Sequence, residues 1–284
     1  MSVDVFLVVI FAAILHATWN AFVKGGKDKV QGMTAITVGQ GLSALILLTI
    51  FPLPSLESLP YLLVGLCFHL GYQIFLMSAY EIGDFTQVYP IARGTGPLLI
   101  ALVSIVFLEV DFSRTELAAI FLIVLGIISL AIVRQGDGLR NPKAAMLAFF
   151  TGCCIAGYSL ADGLGARVSG SAIGFIAMLM FANALIFLAY IRVRSPGTLT
   201  HMMDQRKFTM LGGGVASFIA YVLVIWAFTQ APIALVTALR ETSIVFAVLI
   251  GVIIFKERLN FAKLLATMLS LSGATLLRFG KYLV

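Results

Sequence analysis

Ten stretches of this chain, roughly 3–23, 31–51, 60–80, 84–107, 113–133, 143–164, 169–191, 208–229, 232–255 and 260–279, are almost wholly apolar. Each is close to the run of about 20 apolar residues that a helix needs to cross the hydrocarbon core of a bilayer. The connections are short. The longest, near 192–207, reads RVRSPGTLTHMMDQRK, so no soluble domain is expected. With 61% hydrophobic and 11% charged residues, and a mean hydropathy of +1.05, the chain lacks the polar surface a soluble all-α protein must present. The expected fold is an all-α polytopic membrane protein of ten transmembrane helices. The first apolar run has no positive leader and no small-residue cleavage site, so it reads as a retained span.

Other classes are excluded by what the polar residues do not form. The net charge of +6 is scattered between apolar runs and makes no basic stripe, so no nucleic-acid partner is expected. Cys67, Cys153 and Cys154 lie inside apolar runs without metal-ligand spacing and read as small buried hydrophobes. No metal and no cofactor are expected. Neither HExxH nor GxSxG occurs, and no mid-span carboxylate pair falls within one helical turn, which argues against an intramembrane enzyme.

The chain also repeats itself. AYEIGDFTQVYPIARGTGP lies on AFTQAPIALVTALRETSIV at an offset of 148 residues. That offset sets Glu109 on Glu257 and Arg93 opposite Glu241, with Arg240 one residue before; one residue of slippage sets Gly126 on Gly273. Two five-helix halves are expected, residues 1–139 and 140–284. Five is odd, so the halves must lie in the membrane with opposite orientation, the inverted repeat of many secondary transporters.

At this point the sequence resembles a known family. LHATWNAFVK (15–24), GPLLIALVSIVFLEV (96–110), IVFAVLIGVIIFKERL (244–259) and LSLSGATLL (269–277) look like the EamA-domain transporters of the drug/metabolite transporter superfamily. The acidic residues ending the fourth and ninth spans, Glu109 and Glu257, fit that family's pattern and read as gate or packing elements. The resemblance implies the fold and a transport role in a membrane, in this case the inner membrane of a bacterium, without a substrate. Orientation is read from charge. Thirteen Lys and Arg lie at one set of span ends and four at the other, which places the first set in the cytoplasm and both termini outside it. Many relatives are thought to keep both termini inside.

Polar residues are confined to some spans. Positions i, i+3 and i+4 share a helix face. On such faces lie His16, Trp19 and Asn20; His69, Tyr72 and Gln73; Tyr89 and Arg93; Tyr158 and Asp162; Ser217 and Tyr221; and Thr237, Arg240 and Glu241. Lipid cannot satisfy these groups, so spans one, three, four, six, eight and nine are expected around a central cavity, with spans five and ten as outer scaffold. Pro90 and Pro97, with Gly94 and Gly96 between them, make the middle of the fourth span the expected irregularity facing a ligand.

Arg93, Arg240 and Glu241 fall near the bilayer midplane, the depth at which inverted-repeat transporters hold substrate. An apolar pair would hold the bundle as well as a buried ion pair, so these charges read as substrate-binding. The expected substrate is a small anionic or zwitterionic metabolite. Tyr89, Trp19, Asn20, Tyr72, Tyr158 and Tyr221 are expected to complete the site. Their rings could instead cage an organic cation for export. A lipid-carrier flippase is a further alternative. His16 and Asp162 are candidates for proton coupling, while His69 reads as structural. Besides substrate, membrane lipids are the expected partners of a monomer or homodimer.

Overall fold

A chain in hydrocarbon must satisfy its backbone internally, and a helix does so within each segment. The computed structural model describes residues 1–24, 28–83, 85–132, 141–199, 206–254, 256 and 261–279, and among them no strand occurs. The helices are α1 (Val3–Lys24), α2 (Lys29–Leu48), α3 (Leu59–Ile82), α4 (Phe85–Val106), α5 (Arg114–Ile132), α6 (Pro142–Val168), α7 (Ala172–Arg194), α8 (Gly214–Gln230), α9 (Ile233–Arg240), α10 (Ser243–Ile253) and α11 (Phe261–Phe279). Side chains start several of them. Asp28 accepts from the Gln31 amide, Asn141 from Lys143 and Ala144 with Pro142 as the first helical residue, and Ser171 from Gly174. These caps satisfy amides that the first helical turn leaves free.

Among the described residues, seven helical segments are long and apolar enough to cross a membrane, including the composite Thr209–Gln230 and Ile233–Ile253. Two shorter apolar stretches, Ile91–Val106 and Leu264–Phe279, accompany them. The protein is a polytopic integral membrane protein whose described residues form helices and their connections, without strands.

Packing is closest where small residues meet. Gly39 of α2 faces a π-helical turn, Thr209–Gly213, that leads into α8. A Cβ on Gly39 would collide with the Met210 carbonyl oxygen and fall 2.8 Å from Gly214 Cα, so only glycine permits this approach. Helices α5 and α11 pack on each other, and none of their described residues lines the central cavity.

Two sequence expectations change. The fourth span, with both prolines, is one continuous helix, α4. The break lies in the ninth span, between α9 and α10, at Glu241–Thr242. There the backbone tightens to three-residue spacing: the Glu241 amide bonds Ala238 O at 3.1 Å and the Thr242 amide bonds Leu239 O at 3.0 Å. No proline or glycine sits at this break, which instead begins at the charged Glu241. Past their ends, α4 and α10 each reach a left-handed residue, Glu109 (φ 50°) and Lys256 (φ 54°), the conformation that commonly terminates helices. Glu257 lies outside the described residues.

Candidate functional site

A cavity of about 80 Å³ lies in the middle of the bundle. That is room for several waters or part of a small metabolite. Arg93 of α4 and Arg240 of α9 reach it from opposite halves of the chain. Both are buried, at 8% and 3% exposure, as is Glu241 at 2%. Arg93 Nη2 stands 2.8 Å from Glu241 Oε2, and Arg240 Nη2 stands 3.8 Å from Glu241 Oε1. One carboxylate thus sits between two guanidinium groups. The contacts are ion pairs by distance and lie outside hydrogen-bond geometry. Nε and Nη2 of each arginine, and Glu241 Oε1, have no hydrogen-bond partner among the described residues. Buried N–H donors beside a central cavity are suited to an anion. One turn before Arg93 on α4, Tyr89 is hydrogen-bonded to the Arg93 side chain.

The aromatic residues form one wall. The His69 ring stacks on Tyr158 at 4.2 Å between centroids, and Tyr221 meets His69 edge-on at 5.7 Å. Tyr72 stands edge-on to Tyr158 at 5.8 Å. On α1, the Trp19 indole donates to His16 Nδ1 at 3.3 Å, so the ring proton of a neutral His16 sits on Nε2. Trp19, Tyr72, Tyr158, Tyr221 and His16 all line the cavity. Asn20 turns away from this role: its amide donates to the His16 carbonyl at 2.7 Å, one turn back on its own helix.

Asp162 lies behind the aromatic wall at 0% exposure. Its Oδ2 accepts from the Tyr221 hydroxyl at 2.5 Å and is 2.8 Å from His69 Nε2. Gly65 makes room for it, since a Cβ there would collide with Asp162 Oδ1. Both His69 and Asp162 stand out in the sequence but their pairing does not, because His69 on α3 and Asp162 on α6 are 93 residues apart.

Two further helices carry cavity residues that the sequence did not single out. Thr37 and Gln40 of α2 and Asn183 of α7 face the cavity. Gln40 donates to Ser217 at 2.9 Å, and Gln73 donates to Thr37 at 3.3 Å. Single amides and hydroxyls on otherwise apolar helices give little signal in sequence, and the available clue was the i, i+3 spacing of Thr37 and Gln40.

Comparison with known proteins agrees with this architecture. Residues 142–279 match the EamA-like transporter family. This region holds α6 to α11, and with them Tyr158, Asp162, Tyr221, Arg240 and Glu241. EamA proteins are membrane transporters of small molecules, not enzymes. A solved crystal structure of another protein superposes on the chain with a TM-score of 0.74 at 18% identity, covering 97% of this chain and 96% of that one. At that identity the likeness concerns the fold alone. No curated protein matches the sequence. The partners of the EamA-like half at the cavity, Arg93, His69, Tyr72 and the α1 and α2 residues, come from the half of the chain before residue 142.

Proposed function

We propose that the protein is a secondary transporter that binds a small anionic or zwitterionic metabolite between Arg93 and Arg240 and moves it by alternating access. The observation that carries this reading is the pair of buried guanidinium groups beside a central cavity, with N–H donors that lack hydrogen-bond partners, sharing one carboxylate, Glu241. The three charges sum to +1 with both arginines and Glu241 ionised, which favours an anion. For a zwitterion, Glu241 receives the ammonium while the arginines hold the carboxylate. The two arginines disfavour an organic cation in the aromatic wall. Coupling to protons through His16 or Asp162 belongs to the same reading.

Ten spans in two inverted halves, residues 1–139 and 140–284, supply the moving parts. Support comes from packing that survives exchange of the halves. Under the exchange α3 on α6 becomes α8 on α1, α4 on α6 becomes α9 and α10 on α1, and the pairs α2–α7 and α5–α11 map onto themselves. Gly126 and Gly273 give the same relation in detail. A Cβ on Gly126 would fall 2.9 Å from Ala266 O, and one on Gly273 would fall 2.8 Å from Ala119 O. Alternating access between two such halves is the usual mechanism of inverted-repeat carriers.

The charge bias supports a cytoplasmic location for loop 192–207, in the inner membrane of a bacterium. A Ser195→Cys variant is therefore expected to resist a membrane-impermeant thiol reagent in intact cells; ready labelling reverses the orientation. The function itself is tested by uptake into proteoliposomes of a labelled panel of carboxylates, phosphonates, amino acids, amines and lipid-linked sugars. Saturable uptake confined to the anionic and zwitterionic members is expected. Uptake of amines alone, or movement of the lipid-linked members alone, contradicts the reading.

A further inference from the structure

A solute can reach the central cavity only if a path opens to one membrane face, and the packing toward the two faces differs. One face carries the ends of α1, α3, α7 and α10 and, among the described residues, Lys143, Arg192, Arg194, Arg206, Lys207 and Lys256, and is termed the basic face. At the opposite face the structure is tied shut. Arg167, at the end of α6, donates from Nε to Phe228 O at 2.9 Å and from Nη2 to Ala231 O at 3.0 Å, joining α6 to the end of α8. The loop before α3 is bonded to the end of α6, Ser55 N to Ser169 O at 2.9 Å and Ser55 Oγ to Val168 O at 3.0 Å. Fully or nearly fully buried Phe175, Phe228 and Ile233 fill the space beneath.

Toward the basic face the packing opens. Helix α2 packs on α7 and α8, and α3 packs on α6 and α7, while α2 and α3 make no extensive contact with each other. A seam thus runs between α2 and α3 with α7 as its back wall. One side-chain hydrogen bond spans it at cavity depth, Gln73 Nε2 to Thr37 Oγ1, and it is long at 3.3 Å. Below that bond lies a second cavity, of about 160 Å³, lined by Val30 of α2, Met77, Ser78 and Glu81 of α3, and Tyr190 and Arg194 of α7. Helical spacing joins the two chambers. Gln73, Met77 and Glu81 follow at four-residue steps on α3, and Thr37, Met33 and Val30 follow on α2. At the mouth, Arg194 Nη2 and Glu81 Oε2 are 3.6 Å apart, with both side chains more than half exposed. An exposed, solvent-screened ion pair of this kind contributes little stability, so it opens readily.

We propose that the seam between α2 and α3 is the portal by which solutes pass between the central cavity and the basic face, with Gln73–Thr37 as its inner constriction and Glu81–Arg194 as its outer one. The portal rests on reading the central cavity as the transport site. Its test uses no substrate, so it stands or falls separately from that reading. In full-length protein with Cys67, Cys153 and Cys154 replaced, Met33→Cys serves as a reporter in the central cavity. The probe is a charged, membrane-impermeant thiosulfonate, applied to sealed vesicles of either orientation. Ser195→Cys marks the basic face and Glu57→Cys the other. The reporter is expected to react from the Ser195 side. Adding Met77→Trp, or Ser78→Trp should the first fail to fold, fills the second cavity and is expected to slow the reaction at least tenfold without lowering the melting temperature. Adding Glu81→Lys sets like charges at the mouth and is expected to speed it at least threefold. Reaction from the Glu57 side, no reaction from either side, or a rate indifferent to a folded tryptophan variant overturns the proposal.

Discussion

Replacing Arg93 with lysine is expected to impair transport severely although the charge is kept. A guanidinium presents a planar fork that matches a carboxylate bidentately, and an ammonium does not. Arg93→Gln is expected to impair it at least as much. Truncating a hydrogen-bonded charge in a desolvated site typically costs about 2–5 kcal/mol, roughly 30-fold or more in affinity. The alternative is that Arg93 is a strut that only joins the halves through the 2.8 Å contact with Glu241. A strut is indifferent to direction, so the swapped pair Arg93→Glu/Glu241→Arg would then restore uptake. If Arg93 holds substrate, the swapped pair stays inactive, because it leaves an altered charge arrangement facing the ligand. Uptake rates of the three variants, normalised to folded protein, decide between the two.

The second large effect falls on Asp162. A fully buried carboxylate in a membrane bundle that accepts from a tyrosine and faces a histidine is well placed to carry a coupling proton. Asp162→Asn is expected to abolish the response of uptake to an imposed pH gradient, a loss of at least tenfold. Counterflow of labelled against unlabelled substrate, which needs no net proton movement, is expected to persist. His16 touches the cavity without reaching Asp162, and His16→Gln is expected to leave the pH response in place if Asp162 carries the proton. Uptake that demands a sodium gradient and ignores pH removes proton coupling altogether.

The apolar runs were legible because the bilayer imposes one demand on every span, and hydropathy reads that demand directly. Arg93, Arg240 and Glu241 were legible for the converse reason. A charge in such a run is costly and stands out for that reason, and the structure brings all three together. What escaped were features set by contact. The break in the ninth span carries no proline or glycine, whereas the two prolines of the fourth lie within a continuous helix. Thr37, Gln40 and Asn183 become cavity residues only because α2 and α7 meet on the inside of the bundle. His69 reads from the sequence as a structural, hydrogen-bonded histidine, and what stayed hidden was its partner, Asp162, which meets it only because α6 packs on α3. Asn20 shares a helical face with His16, yet its short side chain finds the backbone of its own helix first, a local competition that spacing alone does not capture.

The central claim is that Arg93 holds substrate. Its most direct measurement is calorimetric binding, to purified parent and Arg93→Gln protein, of whichever metabolite the uptake panel identifies, with melting curves confirming that both are folded. Arg93→Gln is expected to bind at least 30-fold more weakly than the parent, the loss of a desolvated charged contact. Binding as tight as the parent's, by folded Arg93→Gln protein, contradicts the claim.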